Sequence, residues 1–133
     1  MLSKIFCPII LMSLVSFNLV AIKSCGSRSS DVDVDIISTI VSPNKEYVAT
    51  IYYISGGGAA GYVYGLVNLR RQEDTFNPKK GIIFQVTHTQ NITVMWKDDV
   101  HLMIKHSKPS SLLTQAKEWS AGAQKIYIHY TEE

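Results

Sequence analysis

At 133 residues the chain has room for one domain, and its 18% of charged side chains and formal charge of +2 mark neither a disordered tail nor a strongly basic binder. Lys4 and Lys23 precede Cys25, which leaves 11 basic residues against 11 acidic ones beyond it; a neutral body has no electrostatic footprint for nucleic acid. Two cysteines, Cys7 inside an apolar run and Cys25, give no disulfide framework.

Met1 to Ser24 carries Lys4, an almost uninterrupted apolar run from Ile5 to Ile22 and then small residues, the layout of an export signal. The run approaches the minimum of roughly 17 residues for a membrane-spanning helix, so its length leaves a cleaved signal and a retained N-terminal anchor both open. Ile22-Lys23-Ser24-Cys25, followed by Gly26-Ser27, resembles the lipobox of bacterial lipoproteins, although Lys23 fills a position that is normally uncharged. The resemblance implies that Cys25 receives a diacylglycerol and becomes the new N-terminus, on a membrane facing the periplasm or the cell exterior. Ordinary secretion with cleavage near Gly26 and a single transmembrane anchor are the alternatives. More than one acyl chain is needed for stable attachment to a bilayer. The chain therefore divides into a signal segment (1–24), a tether (25–34) and a single β-rich domain (35–133).

Gly26 to Ser30 is small and polar, as a tether requires. In Asp31-Val32-Asp33-Val34-Asp35 three carboxylates share one side if the chain is extended, an arrangement similar to the opening of a calcium loop. That chemistry fails because the sixth position holds Ile36 in place of a turn-making Gly, and the twelfth holds Ser42 in place of a bidentate Glu. A solvated edge strand is expected instead.

The body is expected to be mainly β: an antiparallel sheet or sandwich of about seven strands with one short helix in the C-terminal half, behind an N-terminal signal helix. Asp35 to Val41 is the first strand, joined through a Ser42-Pro43-Asn44-Lys45 turn to Glu46 to Ile54. Gly56 to Gly61 forms a hinge before Tyr62 to Leu69, and Arg70 to Lys80, with Asn77-Pro78, is a loop. Gly81 to Thr89, Asn91 to Trp96 and Val100 to His106 follow as strands. Ile92, Val94 and Trp96 share one face and Leu102 and Ile104 one face of the next strand, which predicts a hairpin with a buried side. Pro109 and Ser110 or Ser111 signal a helix start, Leu112, Leu113, Ala116 and Trp119 an apolar stripe, and Gly122 a stop. Lys125 to Tyr130 closes the chain as a strand.

Three motifs in order, Ser42 to Tyr47, Gly56 to Gly61, and Val94-Met95-Trp96-Lys97-Asp98-Asp99 with Leu102 and Ile104, resemble those of small uncharacterised bacterial lipoproteins. Those proteins carry an SPDGKY-like turn, a GGATT-like segment and a V-x-W-x-D hairpin. The resemblance implies a fold and no activity.

No motif supplies a reaction centre. Gly56 to Gly61 fits G-x-G-x-x-G in spelling but lacks a following helix and a parallel strand, so a hinge is the expected role. His101 and His106 are five apart on one strand and point to opposite faces, which prevents them from sharing a metal. His88 and His129 stand alone. An acylated Cys25 leaves no thiol for catalysis. Catalytic residues, metal ligands and cofactors are therefore all expected to be none. The most suggestive feature is aromatic: Tyr52, Tyr53, Tyr62 and Tyr64 flank Gly56, Gly57, Gly58 and Gly61, and tyrosine suits an interface because its ring packs while its hydroxyl stays wet. These residues form the candidate binding face of a non-enzymatic envelope module that binds another protein or an envelope component, an immunity-type protein being one form of it. The alternative is a small hydrolase or sugar-binding module using His88, His101 and the tyrosines.

Overall fold

A computed structural model describes residues 32–88, 91–109 and 111–133; the signal segment, Cys25 and the tether up to Asp31 lie outside the described residues. Nine strands fill the described chain: β1 Asp33–Val41, β2 Tyr47–Gly56, β3 Tyr62–Arg71, β4 Ile82–Thr87, β5 Ile92–Trp96, β6 His101–His106, β7 Leu112–Gln115, β8 Glu118–Ala121 and β9 Gln124–Glu132. They form a larger sheet in the order β1-β2-β3-β4-β7 and a smaller one in the order β5-β6-β9-β8. The mainly β class follows from the Val, Ile and Tyr density of these segments.

The two sheets face each other across a core of Tyr47, Ala49, Ile51, Val67, Leu69, Phe84 and Val86 from the larger and Val94, Leu102, Ile104, Ile126 and Ile128 from the smaller. Strand periodicity puts these residues there. In β6 the alternation is complete, with Leu102, Ile104 and His106 buried between the half-exposed His101, Met103 and Lys105. The β5–β6 hairpin pairs Val94 with Ile104 and Trp96 with Leu102, as their spacing predicts. Trp96 then closes the sandwich, donating from Nε1 to the Ile40 carbonyl of β1 at 3.2 Å.

The turn before β2 is held by its own side chains. Ser42 Oγ accepts from the Tyr47 amide at 3.0 Å and donates to Asn44 Oδ1 at 2.7 Å, while Lys45 takes the left-handed conformation at φ 61°.

Three expectations are corrected. There are nine strands where about seven are expected, and the surplus comes from the segment read as a helix. Leu112, Leu113, Ala116 and Trp119 do sit at helical spacing, yet β7 pairs with β4 and β8 pairs with β9. Leu112 and Leu113 stay exposed, so the stripe is not what the core selects. Backbone pairing with two open sheet edges outweighs local helix preference. The Ala116 carbonyl, between the two strands, accepts from the half-buried Tyr130 hydroxyl at 2.5 Å, and the Ala116 amide donates to Ile83 O at 2.8 Å. The third correction is orientation: β6 and β9 are parallel, because the chain leaves the smaller sheet after β6, adds β7 to the larger one and returns through β8.

The outer face of the larger sheet is covered over part of its area by the β3–β4 loop. Tyr52 is fully buried there, its ring edge-on to Phe76 at 5.1 Å and its hydroxyl donating to Pro78 O at 2.9 Å. Asn68 Nδ2 donates to Lys80 O, and Arg70 donates to Thr50 Oγ1 at 2.7 Å and to Asn68 Oδ1 at 3.2 Å with its guanidinium over Phe76.

Burial pushes Tyr52 up to about 12 and raises Tyr130 further. Both phenols bind their proton more tightly folded than unfolded. Their contribution is thus fully present below pH ~10 and is lost as pH rises towards the folded values, at up to about 1.4 kcal/mol per pH unit for each. Chemical denaturation between pH 9 and 12 is expected to show this fall. In Tyr52→Phe it should be shallower, at a cost of about 1 kcal/mol at neutral pH for the lost hydrogen bond.

Candidate functional site

Beyond the edge of the β3–β4 loop the outer face of the larger sheet carries a second kind of surface. Val34 of β1 pairs with Ile54 of β2, and Ile54 with Tyr64 of β3, so the three side chains form one row across the strands. The next row runs from Ile36 to the loop-covered Tyr52 and Leu66. Tyr62 lies beyond Tyr64 on the same face, ring against ring at 5.1 Å. Val32, Val34, Ile36 and Tyr62 are 43%, 39%, 51% and 37% exposed, and Ile37, at the β-bulge, is 49% exposed. The larger sheet therefore has an apolar patch beside the tips of β2 and β3.

β1 is also an edge strand, hydrogen-bonded on one side to β2. Its lower end meets β5 through the Trp96 bond to Ile40. Its upper half, Asp33 to Ile37, offers backbone donors and acceptors beside the apolar row. Asp33 and Asp35 are exposed, and β1 contains no basic residue to balance them.

The sequence-predicted face is placed as follows. Tyr52 is buried and braces the loop, so its side chain is not part of an accessible surface. Tyr53 is half-buried on the opposite face, next to Gly65, where an added Cβ would lie 2.9 Å from Ile92 of the facing sheet. Gly56 ends β2; Gly57 and Gly58, at φ 88° and 57°, open a single 3-10 turn at Gly58–Ala60, and Gly61 closes it. Tyr62 and Tyr64 alone among the four tyrosines join the apolar patch. Sequence reasoning missed Val34, Ile36 and Ile54. The signal was present: Val32, Val34 and Ile36 alternate with the aspartates, and the other side of that alternation is apolar.

His88 lies in the larger sheet, bridged to Tyr64, and His101 in the smaller one, so the pair named for a hydrolase is not assembled. On the outer face of the smaller sheet His101 stacks on Tyr127 and on His129, each at 5.5 Å, and its Nδ1 faces both oxygens of Asp98 at 2.8 Å. The Val100 amide, followed by His101, holds the Asp98 carboxyl below its usual range. His106 is buried inside against Phe84, with Nδ1 donating to Ser107 O at 3.0 Å and Nε2 without a partner among the described residues. No three of His, Cys, Asp and Glu come together among the described residues in a way that could hold a metal ion.

Two open depressions lie at the opposite end of the sandwich from the glycine turn. One of about 520 Å³ is lined by Arg70, Asp74, Phe76, Asn77, Lys80 and Trp119; the other, of about 610 Å³, by Lys45, Glu46, Tyr47, Arg71 and Gln124. Among the described residues that line them, no nucleophile is hydrogen-bonded to a base, the minimum that covalent catalysis needs.

No family model, no characterised protein and no solved structure matches this chain.

Proposed function

We propose that the protein is an exported, lipid-anchored, non-enzymatic binding module that takes up a strand of another envelope protein along the upper half of β1. The observation that carries this reading is the coincidence of an open strand edge with an apolar row in which Val34 is exposed and Ile54 and Tyr64 are half-buried, with the exposed Ile36 beside it. Of the devices that blunt edge strands, the upper half of β1 carries two charges, Asp33 and Asp35, and the bulge at Ile37, but neither lysine nor proline. Strand addition would gain main-chain hydrogen bonds from the edge and alternate side-chain pockets from the row. The unbalanced Asp33 and Asp35 favour a partner strand that carries Lys or Arg on its other face.

The anchor reading rests on Cys25 and its lipobox-like surroundings and belongs to the same proposal. A tether of about ten residues would leave β1, the first strand, nearest the bilayer, which suits a partner held in or on the same membrane. An immunity-type role, in which the bound partner is occluded, is one form of this binding.

Site-specific photocrosslinking in the cell of origin tests it. A probe at Ile36 or Tyr64 is expected to give one discrete adduct, and a probe at Ser120, on the outer face of the smaller sheet, none. Adducts from Ser120 alone would refute the proposed face. Cys25→Ser is expected to move the protein out of the membrane fraction, and unchanged partitioning would remove the lipid anchor from the account.

A further inference from the structure

The β6–β9 pairing sets two thioethers and two imidazoles side by side on the outer face of the smaller sheet. Met95 pairs with Met103, and Met103 with His129, so the three side chains lie in one row across β5, β6 and β9. His101, two residues before Met103, is on the same face, its ring 5.5 Å from that of His129 and inclined to it by 27°. We infer that this Met95–Met103–His101–His129 cluster is a binding site for a soft monovalent metal ion, Cu(I).

The ligand types decide the metal. Two thioether sulfurs with two imidazoles disfavour magnesium and calcium, and thioethers select Cu(I) over zinc; the nearby carboxylate, Asp98, is bonded to the His101 ring. Asp98 supplies the outer support that metal-binding histidines use. A carboxylate only accepts, so the Nδ1 facing it at 2.8 Å carries the proton, and in the neutral ring the lone pair is on Nε2. Tyr127 fixes the other side of the His101 ring by stacking. The Met103 sulfur accepts from Thr131 Oγ1 at 3.3 Å, which holds it on this face and leaves a second lone pair. Met95 is 44% exposed on the same face. The two ring planes are inclined by only 27°, so binding requires His129 to turn about its side-chain torsions and aim a nitrogen at an ion held by His101.

The probe is Ag(I), a redox-inert stand-in for Cu(I), added to the full chain labelled at its methionine methyls. In the unprocessed chain Cys7 and Cys25 keep their thiols and take silver first, so that titration runs past two equivalents; a chain processed and acylated at Cys25 has neither thiol, and the step is then the first. The Met95 and Met103 methyl resonances are then expected to shift together with the ring signals of His101 and His129, saturating at one further equivalent. Met103→Leu, which conserves volume, and His129→Ala should each weaken this step at least about tenfold, and Asp98→Asn by about tenfold, while His88→Ala leaves it unchanged. Near-ultraviolet circular dichroism checks that the variants stay folded. Methyls that do not move, a Met103→Leu chain that binds as the parent does, or displacement of silver from this step by equimolar zinc would each overturn the site.

Discussion

Gly81→Ala is expected to destabilise the protein by about 3 kcal/mol or more. Gly81 sits at φ 65°, and a Cβ there would lie 2.3 Å from the Leu69 carbonyl oxygen, which cannot yield without moving β3. Its own carbonyl accepts from the Leu69 amide at 2.8 Å, so the residue cannot retreat without breaking that bond. The neighbouring contacts fail with it, because Asn68 bonds the Lys80 carbonyl and Tyr52 the Pro78 carbonyl in the same loop. Gly58→Ala isolates the two causes. Gly58 has a similar φ of 57° but nothing within 4 Å of the added carbon, so its cost should be about 1 kcal/mol, the conformational part alone. Urea denaturation of both variants measures the difference. Equal losses would mean that the close approach of Gly81 to β3 contributes nothing.

What could be read from the residues follows the range over which each signal acts. The Ser42 turn is local chemistry: a proline, an asparagine that accepts from Glu46, and a serine that caps Tyr47. The β5–β6 hairpin is nearly as local, and Val94 with Ile104 and Trp96 with Leu102 announce it by alternation. The β7–β8 segment is different. Leu112, Leu113, Ala116 and Trp119 carry a true helical period, but the outcome was set by two open edges, β4 and β9, that lie far away in sequence or downstream of the segment. No local pattern reports on them. The parallel pairing of β6 with β9 is equally non-local, which is why the histidines could be judged only within one strand. His101 and His106 do face opposite sides, whereas the closeness of His101 to His129 exists only once β9 docks.

The tyrosines illustrate the same limit on the candidate face. Tyr52 and Tyr64 look alike in sequence, each two residues from another tyrosine or beside one, and both point out from the larger sheet. One is covered because Phe76 and Pro78 fold over it, and the other is not because the loop stops short. The alternating Val32, Val34 and Ile36 carried the better signal. Their exposure follows from β1 being at the edge, where the loop gives no cover and the facing sheet meets only the opposite side, around Ile40.

Ile36→Lys is expected to abolish partner binding, weakening it at least about a hundredfold, while leaving stability within ~0.5 kcal/mol of the parent. The side chain is half in solvent, so a lysine there costs the isolated fold little. In a complex the same ammonium would be buried in the row beside Val34 and Ile54, and its desolvation has no carboxylate on that face to offset it. A lysine is also the residue that natural edge strands use to refuse a further strand. Thr39→Lys, lower on the same face of β1, serves as the matched control and should leave binding within about threefold, since Thr39 lies outside the patch.

The most direct measurement is a calorimetric titration of the crosslinked partner, once purified, against the parent chain and against Ile36→Lys, with thermal unfolding run in parallel. A saturable complex with the parent, its near-complete loss in Ile36→Lys and an unchanged unfolding midpoint are the results expected if β1 is the docking edge. Equal affinity for the two chains would place the partner elsewhere and remove β1 from the function of this protein.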